Sequence, residues 1–365
     1  MKKQFIIFFI LLIAVIPISL SAQRYLRGRI TDTENDKPIP GASVFISNTT
    51  IGTTTDTEGY YQLSIPEEGS YRLTISHVGY QSVFRDIEPG NVSMVINIAM
   101  NIIELEEITV SARVRFRQKD INLFWRTILG ESPSRKTIHV LNPEVVYFYY
   151  NSETKKLKVT CREPLQIVNY ETGYRIHYVL NSFTHDYNEN DSDWSNQLIF
   201  SELKPENIRQ KIKWEDKRRK LYSISLTKFI KSLYNNSLHN EGFVLVNFHQ
   251  KTGSDNPYQI SLLDSESILS KKSPDNSRTL SLYDKQVMII CYGSPITVDD
   301  LNIIQHTPNE IFIRNRVLCI NLLKGNSIRI FPNGTYANRL IISPVNLSST
   351  LLGLNMRLPF EYLPE

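Results

Sequence analysis

The chain has 365 residues, with 41 Lys and Arg against 37 Asp and Glu and 41% hydrophobic content. A formal net charge of +4 selects no partner by itself, and the length suits two or three domains with real cores. Three cysteines, Cys161, Cys291 and Cys319, are too few for a scaffold built on disulfides.

Lys2 and Lys3 precede an apolar run from Phe5 to Leu20 and then Ser21-Ala22-Gln23, the layout of a secretory signal cut after Ala22. As a membrane anchor the run is only about 16 residues, short of the roughly 20 that span a bilayer. No cysteine follows it to carry a lipid, and no later stretch is apolar enough to span. The expectation is export, to the periplasm or the outer membrane, of a chain that is soluble or peripherally held. Charge then divides unevenly: residues 24–113 carry a net −5 and residues 114–365 a net +7. In an oxidising compartment one cysteine pair could close. The favoured alternative is three small buried apolar residues.

From Arg24 to Met100 short β-rich runs alternate with turn residues at intervals near ten, the rhythm of a sandwich. Strands are expected at Tyr25–Thr31, Ser43–Ile46, Thr53–Thr55, Tyr60–Ile65, Gly69–His77, Gln81–Ile87 and Val92–Ala99. Pro38, Pro40 and Gly41 force a reversal before Val44. Asp56-Thr57-Glu58-Gly59 reads as a turn in which the Asp56 side chain accepts from nearby amides. A calcium site there would need further spaced oxygen ligands that the sequence lacks.

The segments Arg27-Gly28-Arg29-Ile30-Thr31-Asp32, Pro38-Ile39-Pro40-Gly41-Ala42-Ser43-Val44, Glu58-Gly59-Tyr60-Tyr61 and Ser76-His77-Val78-Gly79-Tyr80 closely resemble the carboxypeptidase regulatory-like domain. This is a transthyretin-like module that Bacteroidetes attach to many envelope proteins. The resemblance implies a small β-sandwich that binds or spaces rather than catalyses, with His77 packed. It continues through Ile103–Arg113, which is similar to the segment leading into the plug of Bacteroidetes TonB-dependent receptors. Only about 250 residues follow, too few for a plug and a barrel of some twenty strands at about ten residues each. No zinc-carboxypeptidase arrangement of His and Glu is present, so no metal, cofactor or catalytic residue is expected.

Beyond a polar link at 101–119, Ile121, Phe124, Trp125, Ile128 and Leu129 recur at helical spacing up to Gly130. Strands follow at Val145–Tyr150, Lys156–Arg162, Leu165–Val168 and Tyr174–Tyr187. His177 is expected to point outward, and His185-Asp186-Tyr187 to open a solvated loop. A hydrolase built from His177, His185 and Asp186 would need them in one pocket. A second helix is expected from Ser225 to Asn235, with Ser225 as N-cap. Just before it, Lys217-Arg218-Arg219-Lys220 is a contiguous basic run. It could grip lipid headgroups, lipopolysaccharide phosphates or acidic glycans, or be no more than a solvated flank. Residues 251–278, apart from Ile260–Leu263 and Ile268-Leu269, read as a mobile excursion or an insertion, and strands resume at Gln286–Tyr292, Glu310–Leu318, Ile328–Phe331 and Leu340–Ser343, the last two joined by a turn at Asn333-Gly334.

Runs including Leu141-Asn142-Pro143-Glu144-Val145, Glu163–Asn169 and Leu358-Pro359-Phe360-Glu361-Tyr362 resemble an uncharacterised region found after this module in Bacteroidetes proteins. That resemblance carries lineage and no activity. The expected architecture is mostly β: a signal peptide at 1–22, a carboxypeptidase regulatory-like β-sandwich at 23–100, a linker at 101–119, and a β-rich region at 120–365 with two short helices. The expected function is non-enzymatic binding in the cell envelope. The partner would be an envelope or outer-membrane protein, a glycan or an anionic lipid surface, not nucleic acid. Carbohydrate binding is the first alternative, given 38 aromatic residues, and an uncharacterised hydrolase the second.

Overall fold

The computed structural model describes residues 24–364 except 67, 89, 91–93, 103–116, 131–136, 251–257, 283–286, 307–317, 323–326, 338–341 and 345–356. The signal segment, the receptor-like run Ile103–Arg113 and nearly all of the strand expected at Glu310–Leu318 lie outside the described residues. The protein is mostly β, with four helices among the described residues rather than the two expected.

The N-terminal part is a two-sheet sandwich of β1 (Arg24–Asp32), β2 (Ser43–Ile46), β3 (Gly52–Thr54), β4 (Tyr60–Ile65), β5 (Tyr71–Ser76), β6 (Val83–Ile87), β7 (Met94–Val95) and β8 (Ile98–Met100). One sheet runs β4-β1 with β7 and β8 both parallel to β1, and the other runs β3-β2-β5-β6. The last expected strand is split because Ile96 and Asn97 step out of the ladder. Ile96 N donates to Arg27 O at 2.7 Å, and the Asn97 side-chain oxygen accepts from Arg29 N at 2.9 Å. Alternation puts Leu26, Ile30, Leu63, Ile65, Leu73 and Ile75 into a single core between the sheets. At the expected turn, Asp56 Oδ1 accepts from Glu58 N at 3.0 Å and Tyr60 N at 2.8 Å. These are bonds of an Asx turn, which use the carboxylate within the loop. His77 packs edge-on against Tyr80, whose hydroxyl donates to Asp32.

Helix α1 (Gln118–Leu129) ends as expected at Gly130, and Phe124, Ile128 and Leu129 on its apolar stripe are buried. It packs on a six-stranded sheet made of β9 (Ile138–Val140), β10 (Val146–Asn151), β11 (Lys156–Cys161), β12 (Leu165–Asn169), β13 (Tyr174–Asp186) and β14 (Asp191–Glu202). The path is β10-β11-β13-β12-β9, with β14 also on β13. Strand β13 ends at Asp186, one residue short of the expected end, and His185 is buried within the sheet rather than opening a solvated loop.

Helices α2 (Ile208–Ser223) and α3 (Leu226–Tyr234) follow. Ser225 caps α3, its side chain accepting from Lys228 N. The remaining elements are β15 (Phe243–Gln250), β16 (Tyr258–Leu262), β17 (Arg278–Ser281), β18 (Val287–Cys291), α4 (Val298–His306), β19 (Leu318–Leu322), β20 (Ser327–Ile330), β21 (Tyr336–Ala337) and β22 (Ile342–Pro344). They form a five-stranded sheet, β16-β15-β18-β19-β22, and a three-stranded sheet, β17-β20-β21. Much of the expected excursion is therefore ordered: β16 pairs with β15, and Ile268 and Leu269 enter a third apolar core with Phe229, Leu233 and Phe243. The Asn333-Gly334 turn joins β20 to β21, not to the later strand. Cys161 and Cys291 are both free thiols, and burial pushes the Cys161 thiol up to about 12.

The sandwich is bonded to the six-stranded sheet and to the three-stranded sheet. Its β2–β3 loop lies beside β14, with Asn48 N donating to Leu198 O at 2.6 Å and Phe200 N to Thr49 O at 2.9 Å. On its other side, Phe360 N donates to Asn48 O at 2.8 Å. The β4–β5 loop meets the β20–β21 turn, where Asn333 Nδ2 donates to Glu68 O and Tyr71 OH, each at 2.8 Å, and Ser70 N donates to Thr335 Oγ1 at 3.2 Å. Gly69 makes this approach possible: at φ +103° a Cβ would lie 2.4 Å from Asn333 Nδ2 and 2.5 Å from Thr335 Oγ1. Gly69→Ala is expected to cost on the order of 1–3 kcal/mol and to separate sandwich unfolding from that of the rest in a thermal melt. An unchanged single transition would show that this contact does not couple the two.

Candidate functional site

Helix α2 begins where Asn207 Oδ1 accepts from Gln210 N at 2.9 Å. It buries Trp214, Arg218 and Leu221 on one face. Seven of its sixteen residues are basic and two are acidic. At 100° per residue, Arg209, Lys213, Lys217 and Lys220 fall in one row, at i, i+4, i+8 and i+11.

This helix receives the tight turn between β12 and β13. Asn169 shapes the turn, its side-chain oxygen accepting from Glu171 N at 3.0 Å and Thr172 N at 3.3 Å. The turn's carbonyls then find donors on α2. Trp214 Nε1 donates to Tyr170 O at 2.8 Å, Arg218 Nε to Thr172 O at 2.7 Å, and Arg218 Nη2 to Gly173 O at 3.3 Å. The Arg218 guanidinium also lies 4.0 Å from the centre of the Tyr174 ring. Gly173 sits at φ +69°, and a Cβ there would come within 2.3 Å of the Trp214 indole. Only glycine lets the turn lie flat against that ring.

Between turn and helix runs a cleft of about 520 Å³ lined by Tyr170, Asn207, Arg209, Gln210, Lys213 and Lys217, with Trp214 and Glu171 in its walls. Tyr170 stands 49% exposed. Lys217 Nζ is 2.6 Å from Glu171 Oε2. Burial would raise the Glu171 carboxyl, but the bonds from Lys217 and Thr137 outweigh it and hold the group below the usual range. Among the described residues Arg209, Lys213 and Lys220 have no acidic partner within ion-pair distance, whereas Lys211 pairs with Glu215 and Arg219 with Asp216. A cleft with two unpaired cations, a third shared with one carboxylate, two amide side chains and a phenol can recognise an anionic group.

The contiguous basic run therefore serves two ends. Lys217 reaches the cleft, Arg219 and Lys220 are exposed, and Arg218 is 8% exposed and committed to the turn. Sequence reasoning did not find Arg209, Lys213 or Tyr170. The i, i+4 spacing of the two cations was the available signal, and it needed α2 to be recognised as a helix.

The hydrolase constellation does not assemble. His177 and His185 both belong to β13, eight positions apart, roughly 26 Å along a strand. A register shift between Leu180 and Ser182 also sends them to opposite faces. His177 sits beside Gln166, and burial first, then Arg175, pulls its imidazole below the usual range. His185 bonds Ser192, while Asp186 pairs with Lys156. Among the described residues no three His, Cys, Asp or Glu side chains are grouped as a metal would need. No helix of the described residues is long and apolar enough to cross a membrane.

Residues 26–110 match the family model of the CarboxypepD_reg-like domain. The chain is 28% identical over 123 residues to TonB-dependent receptor P3 of Formosa agariphila, an alignment taking in 33% of this chain and 12% of that receptor. Among solved structures, a type II Cohesin-X-Dockerin complex from Acetivibrio cellulolyticus shares 26% identity over 21% of this chain and 51% of that one, at a TM-score of 0.16. A DUF3823 family protein from Bacteroides uniformis is 8% identical, covering 76% of this chain and 93% of that one, at a TM-score of 0.17. Scores this low carry no argument about this chain.

Proposed function

We propose that this chain, which carries a carboxypeptidase regulatory-like domain near its N-terminus, is a non-enzymatic binding protein of the cell envelope that recognises an anionic ligand through the α2 cleft. The observation that carries this reading is the row Arg209, Lys213 and Lys217 facing exposed Tyr170 across the cleft. The leader-like run at Phe5–Leu20 supports export, and the division into a sandwich to Met100, a linker to Lys119 and a binding region beyond belongs to the same reading. The sandwich acts as an accessory that the contacts at Asn48, Thr49 and Asn333 hold to the binding region.

The test is titration of the mature chain with dextran sulfate, followed through tryptophan fluorescence, with neutral dextran alongside. Joint replacement Arg209→Gln, Lys213→Gln and Lys217→Gln is expected to weaken binding at least about tenfold, and added salt to weaken the wild type. Equal binding by variant and wild type, or none by either, rejects the cleft as the site.

A second reading rests on the outer face of the β4-β1 sheet. There Arg27 lies 5.6 Å from the Tyr25 ring centre and Arg29 5.4 Å from that of Tyr60, which is largely exposed. Such a flat face suits carbohydrate stacking. Binding of neutral dextran, lost in Tyr60→Ala, would favour it.

A further inference from the structure

Two large apolar side chains stand out on the most polar of the described helices. Ile208 is 70% exposed and Ile212 50%, one turn apart, on the side of α2 away from buried Trp214, Arg218 and Leu221. Around the helix they are bordered by Arg209 and Lys213 on one side and by Lys211 on the other, and one turn beyond Ile212 by Glu215 and Asp216, which Lys211 and Arg219 pair. We propose that this crest docks α2 on an anionic lipid surface, the isoleucines entering the headgroup–acyl boundary while Arg209, Lys213 and the adjoining cleft hold lipid phosphates. The inference rests on the anion-binding reading of the cleft and names its ligand.

Three observations favour a lipid surface over the other anionic partners. Exposed isoleucines beside cations suit insertion at a charged headgroup–acyl boundary, whereas acidic polysaccharides are gripped by charge and flat aromatic rings. A protein interface would centre on Tyr, Trp or Arg in a packed pocket, but the α2 crest is convex and aliphatic. Tyr170 beside the cations suits the polar boundary of a bilayer, with its ring apolar and its hydroxyl wet. The charge is complementary as well: α2 carries seven basic residues to two acidic, and its two acids are paired with Lys211 and Arg219. Each cation near an anionic surface favours association by roughly fivefold at low salt.

The experiment is co-sedimentation of the mature chain with vesicles of phosphatidylglycerol and phosphatidylcholine in equal parts, against vesicles of phosphatidylcholine alone. Dextran sulfate binding is measured on the same preparations. Wild type is expected to partition at least about tenfold better onto the anionic vesicles. Arg209→Gln with Lys213→Gln should reduce this about tenfold or more. Ile208→Ser with Ile212→Ser should reduce it several-fold while leaving dextran sulfate binding as it was. Thermal melts of all three proteins should coincide, because the four side chains are exposed. Vesicle binding that survives in the isoleucine variant overturns the docking face. Dextran sulfate binding without vesicle binding overturns the lipid inference and leaves the anion reading standing. Failure to bind either probe ends both.

Discussion

Arg218→Ala is expected to destabilise the protein by about 3 kcal/mol, while Lys217→Gln, Arg219→Gln and Lys220→Gln each stay within about 0.5 kcal/mol of wild type. The four residues are consecutive, and the difference comes from what each guanidinium or ammonium touches. Arg218 is 8% exposed and fills the position where α2 meets the β12–β13 turn. Its removal leaves Thr172 O without its donor, leaves Gly173 O with the Leu203 amide alone, and opens a hole above the Tyr174 ring. One buried carbonyl left unmet costs about 1–3 kcal/mol, and the lost packing of the arginine stem and fork on the Tyr174 ring adds to it. The bond to Glu202 at 3.0 Å adds little, because that carboxylate is mostly in water. Arg218→Lys should fall between, keeping charge and stem but losing the planar fork that serves two carbonyls at once. Urea denaturation of the four single variants checks the ordering. An Arg218→Ala variant as stable as Lys220→Gln would mean that the turn holds itself. The same variant separates structure from binding. Arg218 does not line the cleft, so any loss of anion affinity should track release of the Tyr170 turn and be milder in Arg218→Lys.

This position also shows why the site was only half legible in the sequence. A helix is read from apolar residues at i, i+3, i+4 and i+7, and α2 offers Trp214, then arginine at i+4, then Leu221. The arginine stands where an apolar residue would complete the stripe, because its partners are backbone carbonyls 45 and 46 residues away. Nothing local announces such partners, so the segment reads as a charged flank. Strand β14 was hidden for a related reason. Its first half, Asp191 to Asn196, has no buried residue and holds its place by pairing with β13, not by alternation. The sandwich was legible almost strand for strand, since β1, β4 and β5 each carry an inward apolar face and are bounded by Pro, Gly or Asp turns. Helix α1 was legible too, with its continuous stripe and a terminal glycine. Where burial is apolar and local, sequence suffices; where a buried charge answers a distant backbone, it does not.

Phe124→Ala should be the most costly single truncation, at about 4 kcal/mol. The ring is fully buried and meets three others edge-on, with centres 4.9 Å from Trp125, 5.6 Å from Phe148 and 5.1 Å from Phe183. The cost combines the lost transfer energy with a cavity that β10 and β13, fixed by their ladders, cannot close. The first turn of α1 is held separately. Asp120 accepts from Arg117 Nε and Nη2, each at 2.8 Å, and from the Tyr187 hydroxyl, while Arg117 covers the Tyr150 ring at 3.2 Å. Burial first, then the bond to Asp120, raises the Tyr187 phenol above its ordinary range. A double-mutant cycle with Asp120→Asn tells whether these two anchors act as one. If α1 leaves the sheet as a unit, the second substitution should add almost nothing once Phe124 is gone. If the polar anchor holds alone, the two effects should add, and the helix would remain docked by its first turn. A loss below about 1 kcal/mol in Phe124→Ala would show that the surrounding rings repack into the space, and that α1 owes its place to Asp120 instead.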